Sequence, residues 1–308
     1  MANLDPRLFV DSETLLGLKN QAKRLSLSAQ FRSSGIFSGQ NRSKLRGQGL
    51  SFEELRGFRI GDNIKNIDWK ASSRANNRVV KVFTQETDRP ALVVCDQREN
   101  MFFGSRVYMK SVVAAHLAAL MSWLLHQRGD RVGGVVLGEK GPVTEQPSRM
   151  AGKVSQLVSS IADINQSLAA TDSSHLNQSV QVKTMLLESL HLLGSSGTLV
   201  LVTDGLDLSE GDLVLLKRLS SKHNVIILLV NDELELDYQA AIDLVISDGQ
   251  RQITLDDNPK DLVSYRDATT QQLHTIHKAI QQTGLPFGRF NTVVEPYLQL
   301  THLLRGQQ

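Results

Sequence analysis

From residue 79 onward, short apolar runs alternate with longer segments of helical spacing. The apolar runs are rich in Val and bounded by polar residues, a pattern that predicts strands. They lie at residues 79–83, 91–96, 131–138, 198–204 and 224–230. Strands that alternate with helices form a mostly parallel sheet covered on both faces. We therefore expect an α/β fold with a doubly wound, Rossmann-type sheet.

The helical segments repeat apolar residues every three to four positions. They lie at residues 107–129, 153–164, 182–193, 210–222, 262–282 and 297–304. Two late apolar runs predict a hairpin around Asp248 and Gly249, and residues 290–294 predict a short last strand. Ligands of such sheets lie outside the carboxyl ends of the strands. Asp96 and Asp204 follow two of the apolar runs directly, so they are candidate site residues.

The first 78 residues differ from the rest of the chain. Leu15, Leu18, Ala22 and Leu25 have helical spacing and predict an amphipathic helix. Between Thr14 and Phe52 there is no Asp or Glu but there are seven Lys and Arg. This basic arm is either a surface for an acidic partner or a phosphate backbone, or a solvated segment whose charges keep it soluble. Few aromatic residues accompany the cations, so we do not expect it to bind nucleic acid.

Residues 47–86 combine Gly, Arg, Asp and Trp too specifically for a linker. The pattern comprises Gly47, Gly49, Phe52, Arg56, Gly61, Asp62, Ile67, Asp68, Trp69, Arg74, Val80, Lys81 and Glu86, and it continues through Asp96, Met101, Gly104, Lys110, residues 128–133, Thr203 and Asp204. It closely resembles the signature of the "domain of unknown function 58" (DUF58) proteins. The resemblance implies a von Willebrand factor A-like domain and an association with MoxR-type AAA+ ATPases. We expect residues 1–78 to form an N-terminal extension and residues 79–308 to form the α/β domain.

Six residues of the extension form its structural signature: Arg56, Gly61, Asp62, Asp68, Trp69 and Arg74. The arginines can form bidentate pairs with nearby carboxylates. Trp69 is expected to be a large apolar anchor. We interpret the group as a charge cluster that fastens the extension, with a ligand site as the alternative, because ion-pair networks resemble active sites.

The resemblance also implies a metal site at the strand ends. A von Willebrand A-like domain binds a divalent metal through Asp-x-Ser-x-Ser, a Thr and a further Asp. Here the first loop reads "DQREN", so Arg98 and Asn100 replace both serines. A guanidinium has donors and no acceptor, and its charge repels a dication. We expect a degenerate site in which Arg98 neutralises Asp96 and Asp204; weak Mg²⁺ binding by Asp96, Asn100 and Asp204 is the alternative.

These features predict a non-enzymatic interaction protein. Partner-binding residues are expected to be Asp96, Arg98, Asn100 and Asp204, with no catalytic residue and no required cofactor. The resemblance implies a role as adaptor of a MoxR-type AAA+ ATPase in protein assembly or chaperoning, with other von Willebrand A-domain proteins as further partners. The alternatives are a metal-dependent phosphoesterase using Asp96 and Asp204, and a nucleic-acid binder through the basic arm.

Composition limits the setting in which the protein works. The net charge is +2, and Cys95 is the single cysteine of the chain, which fits a reducing compartment. Acidic residues near the start argue against a signal peptide. The longest apolar stretch, residues 112–125, is too short to cross a bilayer. We expect a cytoplasmic protein without membrane insertion.

Overall fold

The computed structural model describes most of the chain. The described residues are 5–25, 50–59, 62, 64–75, 77–85, 89–168, 178–194, 196–236, 245–247, 252–254 and 259–306. Most of the basic arm, as well as Gly61, lies outside them. The chain divides into two compact units, residues 1–37 with 89–308 and residues 38–88. The predicted boundary at residue 78 differs from this division, because the first helix groups with the larger unit and residues 79–85 group with the smaller one.

The secondary structure follows the predicted alternation. The strands are β1 Leu50–Gly57, β2 Val79–Gln85, β3 Pro90–Asp96, β4 Arg131–Gly138, β5 Gly141–Ser148, β6 Thr198–Thr203, β7 Asn224–Asn231, β8 Val245–Ser247, β9 Gln252–Thr254 and β10 Phe287–Asn291. The helices are α1 Ser12–Ala22, α2 Trp69–Ala75, α3 Lys110–Gln127, α4 Ala151–Gln166, α5 Gln178–Leu193, α6 Glu210–Leu219, α7 Glu233–Leu236, α8 Pro259–Thr283 and α9 Pro296–Arg305.

Six strands of the larger unit form one sheet in the order β10-β7-β6-β3-β4-β5. Neighbouring strands are parallel except β5, which is antiparallel to β4. The predicted mostly parallel sheet is therefore confirmed. Strand β5 was not predicted from the sequence, because it is mostly polar and contains Pro142 and Pro147. Prolines within a strand are tolerated only at the edge of a sheet. The last strand begins at Phe287, three residues before its predicted start at residue 290.

Helices cover both faces of the sheet. On one face Ala91, Val93 and Cys95 of β3 belong to an apolar core shared with α1, α3, α4 and α9. On the other face Leu92 and Val94 belong to a second core shared with α5, α6 and α8. Successive side chains of a strand point to opposite faces, so a strand buried on both sides reads as a continuous apolar run. The doubly wound α/β architecture is confirmed.

The smaller unit contains the antiparallel pair β1 and β2 together with α2. Arg56 binds Asp62 through two hydrogen bonds of 2.9 and 2.7 Å, which is one of the predicted pairings. Asp68 accepts the backbone N–H groups of Lys70 and Ala71 at the start of α2, and Arg74 is exposed at the end of that helix. Trp69 is 66% exposed, so the prediction that it is a buried anchor is wrong. An aromatic residue beside an aspartate does not reveal whether the ring is buried.

Gly134 in β4 marks a close approach in the core. A Cβ atom added there would lie 2.4 Å from the Val93 carbonyl oxygen and 2.8 Å from Leu157 Cδ1. We therefore expect Gly134→Ala to lower the free energy of unfolding by about 1–3 kcal/mol or more, since the backbone cannot yield without disturbing the sheet. Urea unfolding measures the effect.

Gly152 in α4 is the matched control, because an added Cβ there meets nothing within 4 Å. Gly152→Ala is expected to be neutral or to stabilise by up to about 1 kcal/mol. Equal losses in the two variants would contradict the packing argument for Gly134.

Candidate functional site

The candidate site lies where β3 and β6 end side by side at the carboxyl edge of the sheet. These two strands pair in parallel, so Asp96 at the end of β3 and Asp204 just after β6 are brought to the same edge. Asp96 is 1% exposed and Asp204 is 0% exposed. Buried carboxylates need nearby cations or donors, because desolvation penalises the charged form.

Arg98 supplies the cation for Asp96. Its Nε lies 2.9 Å from Asp96 Oδ1 and its Nη2 lies 2.7 Å from Asp96 Oδ2, which is a bidentate pair. The hydroxyl of Thr203 also donates to Asp96 Oδ2, at 2.9 Å. Burial tends to lower the pKa of Arg98, but the Asp96 carboxylate outweighs this and the pKa is raised. Arg98 is therefore a fixed positive charge that is 1% exposed.

Lys110 supplies the cation for Asp204. Its Nζ lies 2.9 Å from Asp204 Oδ2 and 2.7 Å from Glu235 Oε1. Arg98 acts on Asp204 through its charge, and the cation in direct contact with Asp204 is Lys110. Sequence reasoning assigned Lys110 no role, although a lysine that opens an otherwise apolar helix is an available signal. Burial tends to lower the pKa of Lys110, but Asp204 and Glu235 together raise it.

Asn100 contacts Asp204 through its amide nitrogen. Nδ2 donates to Asp204 Oδ2 at 3.0 Å. This contact uses the amide nitrogen and does not involve the carbonyl oxygen, which is the atom predicted as a weak metal ligand. Its Oδ1 atom is buried and has no hydrogen-bond partner among the described residues.

Asp207 is a further carboxylate at Arg98, and sequence reasoning missed it. Its Oδ2 lies 3.0 Å from Arg98 Nη1, and its side chain is 26% exposed. Burial raises the pKa of Asp207, and the charge of Arg98 offsets this only in part. Burial likewise raises the pKa of Glu235, with Lys110 opposing. Burial thus favours the protonated form of both Asp207 and Glu235.

We call this group the strand-end cluster. It consists of Asp96, Arg98, Lys110, Asp204, Asp207 and Glu235. Four carboxylates face two cations, which leaves a formal charge of −2 when every group is ionised.

The donor set does not fit the magnesium ion that the family resemblance implies. Both oxygens of Asp96 accept hydrogen bonds from Arg98, and Oδ2 of Asp204 accepts from Asn100 and Lys110. The carboxylate oxygens that a hard cation needs are thus bound to donors, Asn100 Oδ1 alone of the candidate ligand atoms has no described partner, and two neighbouring cations repel such an ion. Within the described ranges, no group of three or more His, Cys, Asp or Glu side chains is arranged to hold a metal ion.

A second polar network fixes the loop that leads into α3. Asp232, at the end of β7, accepts hydrogen bonds from the Ser105 backbone N–H and hydroxyl and from the Thr292 hydroxyl. Glu235 Oε2 accepts the Asp232 backbone N–H at 2.9 Å, which connects this network to Lys110. The ends of β7 and β10 therefore hold the loop that positions Lys110.

The comparisons with known proteins give a family but no activity. The model of the family "Protein of unknown function DUF58" matches residues 54–274. The uncharacterized protein Rv1480 of Mycobacterium tuberculosis (strain ATCC 25618 / H37Rv) is 23% identical over 127 residues, which is 41% of this chain and 40% of that protein. An uncharacterized protein of Mycobacterium bovis, Mb1516, matches with the same figures. The match spans about two fifths of the length of these relatives.

Several solved structures align with much of this chain at low sequence identity. An aerotolerance-related membrane protein of Bacteroides fragilis is 15% identical and covers 71% of this chain and 98% of its own, with a TM-score of 0.39. BatB of Bacteroides thetaiotaomicron is 11% identical, covers 71% and 98%, and has the same TM-score, 0.39. A von Willebrand factor type A protein of Catenulispora acidiphila is 11% identical and covers 74% of this chain and 43% of its own, with a TM-score of 0.34.

No helix in the described part of this chain has the length and apolar character needed to cross a bilayer.

The pairing of Lys110 can be tested by Lys110→Met. This change leaves Asp204 and Glu235 buried without their cation, so we expect a loss of about 3–5 kcal/mol in the free energy of unfolding near pH 7. The loss is expected to shrink at pH 5. A carboxyl whose pKa is raised on folding contributes stability that is lost as the pH rises through the folded-state pKa. The pKa of Glu235 is already raised, and removing Lys110 raises it further.

Urea unfolding at the two pH values measures both effects. Lys153→Met is the matched control, because Lys153 is exposed on α4 and should change stability by less than about 0.5 kcal/mol. A loss in Lys110→Met that does not depend on pH would contradict the proposed role of the buried carboxylates.

Proposed function

The chain belongs to the DUF58 family of proteins of unknown function, and we propose that it is a non-enzymatic protein-interaction module. We propose further that it serves a MoxR-type AAA+ ATPase as an adaptor in protein assembly or chaperoning, in the cytoplasm. The signature residues in 47–86 support the ATPase partnership by resemblance. We propose that the partner binds at the surface next to the strand-end cluster.

The observation that carries the proposal is that two buried cations occupy the carboxyl edge of the sheet. In a von Willebrand A-like domain a metal ion at this edge receives a carboxylate from the partner. Here the Arg98 guanidinium, held by Asp96 at 2.7 and 2.9 Å, supplies a permanent positive charge at the same edge. Arginine binds carboxylates through two parallel hydrogen bonds and does not lose its charge in proteins. We therefore propose a degenerate site that works without a metal.

The same contacts argue against the phosphoesterase alternative. Such an enzyme requires Asp96 or Asp204 to hold a metal or to attack a phosphorus atom. Each of these carboxylates is instead bound to a cation within 3.0 Å. A carboxylate that is fully paired and buried is a poor nucleophile and a poor general base. The geometry favours binding over catalysis.

An exposed ion pair lies at the same edge of the sheet as the buried cluster. Arg106 and Glu233 pair at 3.1 Å, with side chains that are 47% and 40% exposed. Arg106 lies in the loop before α3, and Glu233 opens α7 after β7, so both stand at the carboxyl edge. Exposed rim charges affect the rate and the specificity of association more than they affect folding.

Binding to the ATPase is tested with rim variants of the whole chain. We expect Arg106→Glu to weaken binding of a MoxR-type ATPase from the same organism by about tenfold or more, since it places like charges together at the rim. The melting temperature should stay nearly constant, because exposed ion pairs contribute only about 0–1 kcal/mol. Calorimetric titration of the ATPase measures the affinity.

Lys222→Glu is the control for position. Lys222 is exposed just before β7 begins, at the opposite edge of the sheet, so this variant should bind the ATPase as the wild type does. Absence of binding by the wild-type chain would refute the adaptor proposal, and equal weakening by both variants would refute the location of the surface.

Metal independence is tested separately. A site with a dissociation constant of about 1 mM would add about 1.4 kcal/mol of stability at about 10 mM ligand, which raises the melting temperature by a few degrees. We expect no such rise for the wild type with MgCl₂ or MnCl₂ compared with KCl at equal ionic strength. A saturable, stoichiometric stabilisation by either metal would show that Arg98 and Lys110 do not fill the site.

A further inference from the structure

We propose that Asp207 is an internal ligand of Arg98, and that a partner carboxylate reaches Arg98 by exchanging places with it. This inference rests on the proposed function in one respect, that the partner docks at the strand-end cluster. It adds the residue that controls access to Arg98 and the form in which the partner must present itself.

Asp207 lies between Arg98 and solvent. Arg98 uses Nε and Nη2 to bind Asp96, and its Nη1 lies 3.0 Å from Asp207 Oδ2. Arg98 and Asp96 are 1% and 2% exposed at their side chains, whereas Asp207 is 26% exposed. Of these two carboxylates, Asp207 is the one in contact with solvent. It therefore occupies the approach to Nη1 that an incoming group would use.

Asp207 is held less firmly than Asp96. Asp96 accepts from the Arg98 backbone N–H at 3.2 Å and from the Thr203 hydroxyl, in addition to its bidentate pair. Asp207 Oδ2 makes a single contact of 3.0 Å with Nη1, and no other donor among the described residues binds this buried oxygen. One such contact recovers less of the desolvation energy than a bidentate pair with further donors does. The pKa of Asp207, raised by burial, agrees with weak stabilisation of its charge.

The net negative charge of the strand-end cluster also limits how a partner carboxylate can bind. The strand-end cluster already holds four carboxylates against two cations. A fifth carboxylate would add repulsion in a region of low dielectric constant, where charges interact strongly. Replacement of Asp207 by a partner carboxylate leaves the charge around Arg98 unchanged, because one carboxylate leaves as another arrives. Exchange is therefore favoured over addition.

The inference also defines the partner group. A partner must offer a carboxylate on a side chain or chain end that reaches a buried guanidinium. It must also form better hydrogen bonds with Nη1 than Asp207 forms. A neutral hydroxyl or amide would leave Arg98 with less negative charge nearby after Asp207 departs, so such groups are disfavoured.

The experiment uses acetate as the probe and the whole 308-residue chain. The nitrogen-15 NMR signal of the Arg98 Nε–H group is followed while acetate replaces chloride at constant ionic strength. In Asp207→Ala, acetate should shift this signal in a saturable manner. If Asp207 occupies Arg98 in more than about nine tenths of molecules, its removal tightens the apparent dissociation constant for acetate by about tenfold or more.

Two further variants serve as controls for the position at which acetate binds. Asp163→Ala removes an exposed aspartate from α4 and should respond to acetate as the wild type does. Asp207→Ala combined with Arg106→Gln removes the exposed arginine of the same edge and should keep the acetate response of Asp207→Ala. Loss of the response in the double variant would place the acetate at Arg106 and overturn the proposal.

The remaining outcomes are decisive. Equal acetate binding by the wild type and Asp207→Ala would show that Asp207 does not occupy Arg98, and no binding by Asp207→Ala would show that Nη1 cannot accept an external carboxylate. Either result overturns the inference. The ATPase takes no part in this titration, so failure of the adaptor proposal and failure of the exchange proposal are separately visible.

Discussion

The structure depends on the mutual neutralisation of buried charges at the ends of β3 and β6. Transfer of Asp96, Asp204, Arg98 and Lys110 out of water costs several kcal/mol per ion, and only close pairing offsets it. The contacts of 2.7–2.9 Å provide that pairing. Because Arg98 follows β3 and Lys110 opens α3, the same contacts hold the loop between them against the sheet. Removal of Arg98 or Lys110 leaves a buried aspartate without the cation that contacts it.

The contacts that the sequence predicted are local ones. Asp96 and Arg98 are two residues apart after an apolar strand, so their pairing follows from the strand end alone. Lys110 and Asp204 are separated by 94 residues, and their contact exists only because the sheet order places β6 beside β3. Asp207 reaches Arg98 for the same reason. Apolar runs in the sequence show where each strand lies but not the order of the strands in the sheet. Contacts within one strand end could therefore be predicted, whereas contacts between strand ends could not.

The exposed surface was less predictable than the core. Apolar runs located the five strands β3, β4, β6, β7 and β2 because burial on at least one face requires apolar residues. Trp69 was predicted to be buried but is exposed. Residue type alone does not determine exposure when the neighbours in sequence are polar. Strand β5 was missed for a related reason. An edge strand that faces solvent needs neither an apolar run nor the absence of proline.

A built-in cation changes how such a site can be controlled. A metal ion can be gained or lost, whereas Arg98 and Lys110 are covalently part of the chain and have raised pKa values. Protonation of Asp207 or of Glu235, whose pKa values burial raises, would change the charge of the cluster without the loss of a cation.

The exchange proposal also agrees with the charge balance at this edge. Four carboxylates of the strand-end cluster already face two cations. Arg98 favours a carboxylate over a neutral group, whereas the crowding of negative charge disfavours an additional carboxylate. On this proposal, the edge holds one exchangeable carboxylate at a time.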